Sequence, residues 1–199
     1  MNTLRLSALL AAGFLLALLA GCAAVVKIEG EQNVKSRMSV RLGQAWNKVS
    51  APGSEQPYEA WTQDGFNLDH LRLWAGVRSG QALVGQAPAA AGQRALRVPV
   101  FRAGMAPDQL ANLFEVLYSA DGSQVQVTRL EPATFVGEQG VRFELSIIRK
   151  RDDVPMSAVG WVAVRGDELF AITYVAPRLG FFPRGRPGVE AIAASARLR

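Results

Sequence analysis

The sequence contains one cysteine, Cys22, and one histidine, His70, in 199 residues. A lone cysteine excludes a disulfide within the chain. One cysteine and one histidine cannot build a Cys₄, Cys₂His₂ or His₃ zinc site. Any Ser-His-Asp or Cys-His arrangement would need His70 as its base, and no compelling partner set accompanies it. Gly-x-Ser-x-Gly, the phosphate-binding P-loop and Gly-x-Gly-x-x-Gly are all missing. Lysine is scarce, at 4 against 18 arginines, and the basic residues are scattered without interleaved aromatics. That pattern lacks the one-sided clustering of a nucleic-acid footprint. The only acidic doublet, Asp152-Asp153 in KRDDVP, reads as a charged turn and not as an oxygen cage for calcium. These absences lead us to expect a protein without catalytic residues, metal or cofactor.

Long apolar runs are also missing. The longest stretch runs from Ala8 to Ala20, thirteen residues interrupted by Gly13 and preceded by Arg5. Crossing a hydrocarbon core takes roughly 20 residues. This stretch has instead the length of a signal-peptide core, and small residues follow it. Leu19-Ala20-Gly21-Cys22 resembles the bacterial lipobox. The resemblance implies cleavage before Cys22, a diacylated thiol and an acylated new amino terminus. Two or more acyl chains give stable attachment, whereas one gives only marginal binding. The expected organisation is a signal peptide over 1–21, a lipidated tether over 22–37 and a single domain over 38–199. The partner so implied is the lipid bilayer, and the location the cell envelope. Ala23, not aspartate, follows the cysteine, which favours the periplasmic face of the outer membrane in a diderm cell. Cleavage removes Arg5, leaving 21 basic against 17 acidic residues, and the mild positive balance suits anionic head groups.

The mature chain of 178 residues suits one domain. AAVVKIEGEQNVKSR, residues 23–37, reads as a tether or in part as an added strand. VGQAPAAAGQRA, residues 84–95, reads as a surface loop. Val125, Val127 and Arg129 alternate with Gln126, Thr128 and Leu130. Val141, Phe143, Leu145 and Ile147 line one face of the next run, as in a half-buried strand. SAVGWVAV (157–164) and LFAITYVA (169–176) are apolar throughout, as in central strands covered on both faces. Gly166-Asp167 between them marks a tight turn. Asp64-Gly65 marks a second hairpin, joining 58–63 to 66–77, and Gly137 to Gly140 a third turn.

APDQLANLFEVLYS, residues 106–119, spaces Leu110, Leu113, Phe114, Leu117 and Tyr118 along one helical stripe, with Pro107 at its first turn. PGVEAIAASARL, 187–198, reads as a second helix. Antiparallel strands with separately arriving helices give an α+β fold, an antiparallel β-sheet covered by helices. LEPATFVGEQGVRFELSI, VAVRGDELFAITYVAP and AIAASARL together resemble the C-terminal half of PsbP-like and DcrB-like α/β/α sandwich proteins. The stretch Trp61-x-x-Asp64-Gly65 is similar to one in uncharacterised bacterial envelope lipoproteins. The resemblance implies a fold used for binding and accessory roles.

Two stretches are candidate functional surfaces. As one regular strand, FNLDHLRLWAGV (66–77) puts His70, Arg72 and Trp74 on one face, with Trp61 across the hairpin. That face is either a ligand or partner patch, or packing beneath a helix. In APRLGFFPRGRPG (176–188), Phe181 and Phe182 stand among Arg178, Arg184 and Arg186. This loop either meets a membrane or a partner, or covers a core edge. The expected role is a membrane-anchored binding or assembly module for an envelope protein. The alternative is a periplasmic carrier of a lipid or another apolar or anionic small ligand. Replacing the acylated thiol tests the anchor: Cys22→Ser is expected to abolish incorporation of labelled palmitate and release the chain from the membrane fraction.

Overall fold

The computed structural model describes residues 24–50, 55–85 and 98–199. Among them, nine strands form one antiparallel sheet. These are β1 (Ala24–Val34), β2 (Met38–Ser50), β3 (Tyr58–Thr62), β4 (His70–Arg78), β5 (Gln124–Phe135), β6 (Glu138–Ile148), β7 (Pro155–Arg165), β8 (Glu168–Pro177) and β9 (Arg197–Leu198). Their order is β1-β2-β3-β4-β8-β7-β6-β5, and β9 pairs with the start of β2. Helix α1 (Pro107–Ser119) covers one face and α2 (Phe181–Ser195) the other. This is the α+β architecture expected from the sequence.

Burial follows the sequence periodicities. The apolar runs of β7 and β8 are buried on both faces, because each strand lies between two others and beneath a helix on either side. β6 buries Val141, Phe143, Leu145 and Ile147 toward α1. Its intervening residues stay partly exposed, as a one-sided strand requires. Helix α1 buries Leu110, Leu113, Phe114 and Leu117 against this layer. Its first turn is closed by the Gln109 side chain, which accepts from the Ala106 backbone N–H at 2.8 Å. On the other face, Trp46, Trp61, Ile172 and Tyr174 pack with Phe182, Val189 and Ile192 of α2.

Several local expectations are corrected. Of the two readings offered for residues 23–37, the added strand is the one seen: β1 runs from Ala24 onward, paired with β2 along its length apart from a bulge between Ile28 and Gly30. The β3–β4 connection is not a tight Asp64-Gly65 turn but a seven-residue loop, 63–69, so Phe66 and Leu68 lie outside the strand. The third turn is Val136-Gly137, and Gly140 belongs to β6. In β5 a bulge between Val127 and Arg129 takes Arg129 off the face shared by Val125 and Val127. The run expected as a loop through 188 becomes helical at Phe181. Pro183 is tolerated there because first-turn N–H groups have no partner within the helix. Pro187 forfeits an interior bond. The helix is held nonetheless by the burial of Phe182, Val189, Ile192 and Ala193. The loop expected over 84–95 lies outside the described residues from 86.

Gly160, in central strand β7, faces the Phe143 ring, and a Cβ there would fall well inside van der Waals contact with it. Gly160→Ala is expected to destabilise the fold by about 1–3 kcal/mol through overpacking, read as a lower urea midpoint.

Candidate functional site

Alternation along β4 sends Leu71, Leu73 and Ala75 toward α2 and His70, Arg72 and Trp74 toward α1. Of the four residues read as either a patch or packing beneath a helix, two are packed. Trp61 pairs with Leu71, lies on the α2 side and is fully buried. Trp74 is fully buried beneath α1, edge-on to Phe114 at 5.4 Å, and its indole N–H donates to the Leu83 carbonyl at 2.8 Å. His70 and Arg72 remain together, at the end of the sheet where loop 63–69, the C-terminal end of α1 and the β6–β7 turn converge.

That loop is organised from below. Asp69 is fully buried. Its carboxylate accepts from the Thr62 hydroxyl at 2.6 Å, the Gln63 backbone at 3.0 Å and the Asp64 backbone at 2.8 Å. Outside, Arg149 donates to the Asn67 carbonyl at 2.7 Å and Arg151 to the Asn67 side chain at 2.9 Å. Arg184 reaches across from α2 to Asp64. The loop so held lays the Phe66 ring over His70, stacked at 5.1 Å and 26°.

The result is a cleft of about 420 Å³, within the size range of small-ligand sites. Phe66, His70, Arg72 and Tyr118 line it together with apolar Ile147 and Val175. Three rings surround the Arg72 guanidinium: Tyr58 at 5.0 Å, Tyr118 at 5.4 Å and Phe66 at 5.8 Å. None of the ion pairs among the described residues involves Arg72. Its buried Nε has no hydrogen-bond partner, and neither has the buried Nε2 of His70. Two such nitrogens beside one cleft are costly unless something satisfies them. Arg149 and Arg151 also line the cleft, and Asp121 stands opposite in sign. Arg149 is neutralised by Asp152 through two bonds of 2.8 Å, which gives the acidic doublet its role as a turn clamp.

The electrostatics follow from burial and these cations. Desolvation, reinforced by Arg72 and Arg149, pushes His70 well below its ordinary value and keeps the imidazole neutral. Burial pushes the Tyr118 hydroxyl up, against the opposing effect of Arg72 and of its 2.5 Å hydrogen bond with Thr173. Among the described residues no group of three His, Cys, Asp or Glu side chains could hold a metal ion.

The second expected surface takes a different form. Phe182 is buried and stacked on Tyr174 at 5.9 Å, and Phe181 lies under Arg184 at 4.9 Å. Arg178 donates to the Ser146 hydroxyl at 2.7 Å, and Arg186 is paired with Glu190 at 2.8 Å and Glu144 at 3.2 Å. The apolar tip here is Leu179, 85% exposed.

Sequence reasoning missed Phe66, Tyr118, Arg149 and Arg151 as cleft residues and Tyr58 as a neighbour of Arg72. Phe66 and Leu68 are apolar out of phase with Leu71, Leu73, Ala75 and Val77, which is the one mark the loop leaves in the sequence. Tyr118 and the two arginines carried none. Because folding keeps His70 neutral, the unfolded chain binds more protons below its ordinary value of 6.5. Stability is therefore expected to fall as pH drops through 6.5, and the fall to be shallower in His70→Gln, measured as urea midpoints between pH 8 and 5.

No family model matches the sequence, and no curated protein matches it. Among solved structures, the chain is similar to the solution structure of cyanobacterial PsbP (CyanoP) from Synechocystis sp. PCC 6803. The two share 12% identity, with a TM-score of 0.56 over 91% of this chain and 96% of that one. The chain has a PsbP-like fold.

Proposed function

We propose that this chain is a lipid-anchored, non-catalytic binding protein of the bacterial cell envelope, and that the His70–Arg72 cleft holds a small ligand. The observation that carries the reading is the pair of buried, unpartnered nitrogens, His70 Nε2 and Arg72 Nε, beside a cleft of ligand size. A polar atom buried without a partner costs about 1–3 kcal/mol, and a bound molecule with matching groups removes that cost. Binding without chemistry is supported by the lack, among the described residues, of a nucleophile paired with the imidazole. No hydroxyl bonds to its Nε2, and the nearby Thr173 hydroxyl is engaged with Tyr118. The anchor rests on the lipobox resemblance at Cys22. Only Ala23 separates that residue from the first residue of β1, so an acylated Cys22 would hold the sheet edge close against the bilayer.

A second reading, docking of an envelope protein, is favoured by Leu179, which stands out to solvent at the sheet end that carries the cleft. Native mass spectrometry of the mature protein released from its own envelope separates the two. The ligand reading expects a stoichiometric small molecule that is lost in Arg72→Gln. A mass equal to the lipidated polypeptide alone, in wild type and variant alike, would overturn it.

A further inference from the structure

The charges and apolar surfaces of the cleft identify the class of ligand, an inference that rests on the ligand-binding reading above. Arg72 presents a guanidinium whose Nε has no partner among the described residues and whose central carbon lies 5.0, 5.4 and 5.8 Å from the rings of Tyr58, Tyr118 and Phe66. The planar guanidinium fork matches a carboxylate in geometry, and the unpartnered Nε leaves it a donor to offer. The neutral His70 beside it is able to donate one further hydrogen bond from Nε2.

The remaining charges near the cleft largely cancel. Arg149 is occupied by Asp152, Arg151 lies 3.4 Å from the same carboxylate, and Asp121 adds a negative charge to the lining. One free cation among the described residues suits a monoanion; a phosphate dianion would leave charge unmatched. Beside the polar Asn67, Asp121, Ser123, Arg149 and Arg151, the lining has an apolar part formed by Leu117, Ile147, Met156 and Val175. These side chains offer nothing to a polar body and gain from an apolar one.

We propose that the cleft binds a small amphiphilic carboxylic acid, its carboxylate on Arg72 and His70 and its hydrocarbon portion over Ile147 and Val175. Phe66 is the cover of this site. It is stacked on His70, carried by a loop rather than a strand, and 39% exposed. The acid reaches the two buried nitrogens as that ring moves aside.

The test compares octanoate, octanol and octylammonium, three probes with one apolar body and different heads. Each is titrated calorimetrically at pH 8, below its micelle-forming concentration, into mature protein stripped of co-purified ligand. Octanoate is expected to bind at least about tenfold more tightly than the other two. Arg72→Gln is expected to remove that preference, since hydrogen bonds to a charged group of this kind amount to about a tenfold or greater change in affinity. If Arg72→Gln does not fold, the ¹⁵N shifts of the single histidine in wild type serve instead, and are expected to move with octanoate alone. Equal binding of all three probes in the cleft would overturn the carboxylate assignment while leaving the ligand site intact. No binding by any probe, with the histidine signals unmoved, would overturn both.

Discussion

The buried carboxylate of Asp69 is the interaction on which the cleft depends. It satisfies the Thr62 hydroxyl and the backbone N–H groups of Gln63 and Asp64 from a fully buried position. A loop of seven residues has many conformations, and ordering it costs backbone entropy of roughly 1–2 kcal/mol per residue. Three donors converging on one carboxylate offset part of that cost and select a single course for the chain. That course carries Phe66 onto His70 and brings Asn67 to Arg149 and Arg151. Without it, His70 and Arg72 would lose the Phe66 ring as their cover.

The sheet supplies the rigidity that the loop lacks. β4 is paired on both sides, with β3 and β8, and its register against β8 shifts only between Ala75 and Val77. His70 and Arg72 precede that bulge, so their spacing is set by regular strand geometry. Helix α1 contributes Tyr118 from its last turn, fixed to the sheet by its bond with Thr173. The polar pair of the cleft is thus held by ordinary secondary structure, while its cover is held by side chains. Rigid donors beneath a loop-borne aromatic ring are an arrangement suited to admitting and retaining a small molecule.

Periodicity made much of this legible. The alternation of β6, the apolar runs of β7 and β8 and the stripe of α1 each report local burial, and each element formed at or near its expected place. The grouping of His70 with Arg72 came from the same period of two. The inclusion of Trp61 failed for a reason of parity. A two-residue turn at Asp64-Gly65 would have put Trp61 across from Leu68, on the face of His70. The seven-residue loop puts it across from Leu71, on the other face, since a change of register by an odd number inverts every side chain. Phe181 and Phe182 were legible as a pair of interest but not as packing, because what buries Phe182 is Tyr174 on β8.

By itself the sequence determined the kinds and order of the elements from β3 to α2 and the chemistry that one cysteine and one histidine rule out, because these depend on composition and on patterns within a dozen residues. Tertiary structure alone decided that Tyr118, Arg149 and Phe66 meet at His70, and that Arg72 has no ion pair among the described residues. Those relations join residues up to about eighty positions apart, and they are set by strand pairing and loop parity, which no local pattern encodes.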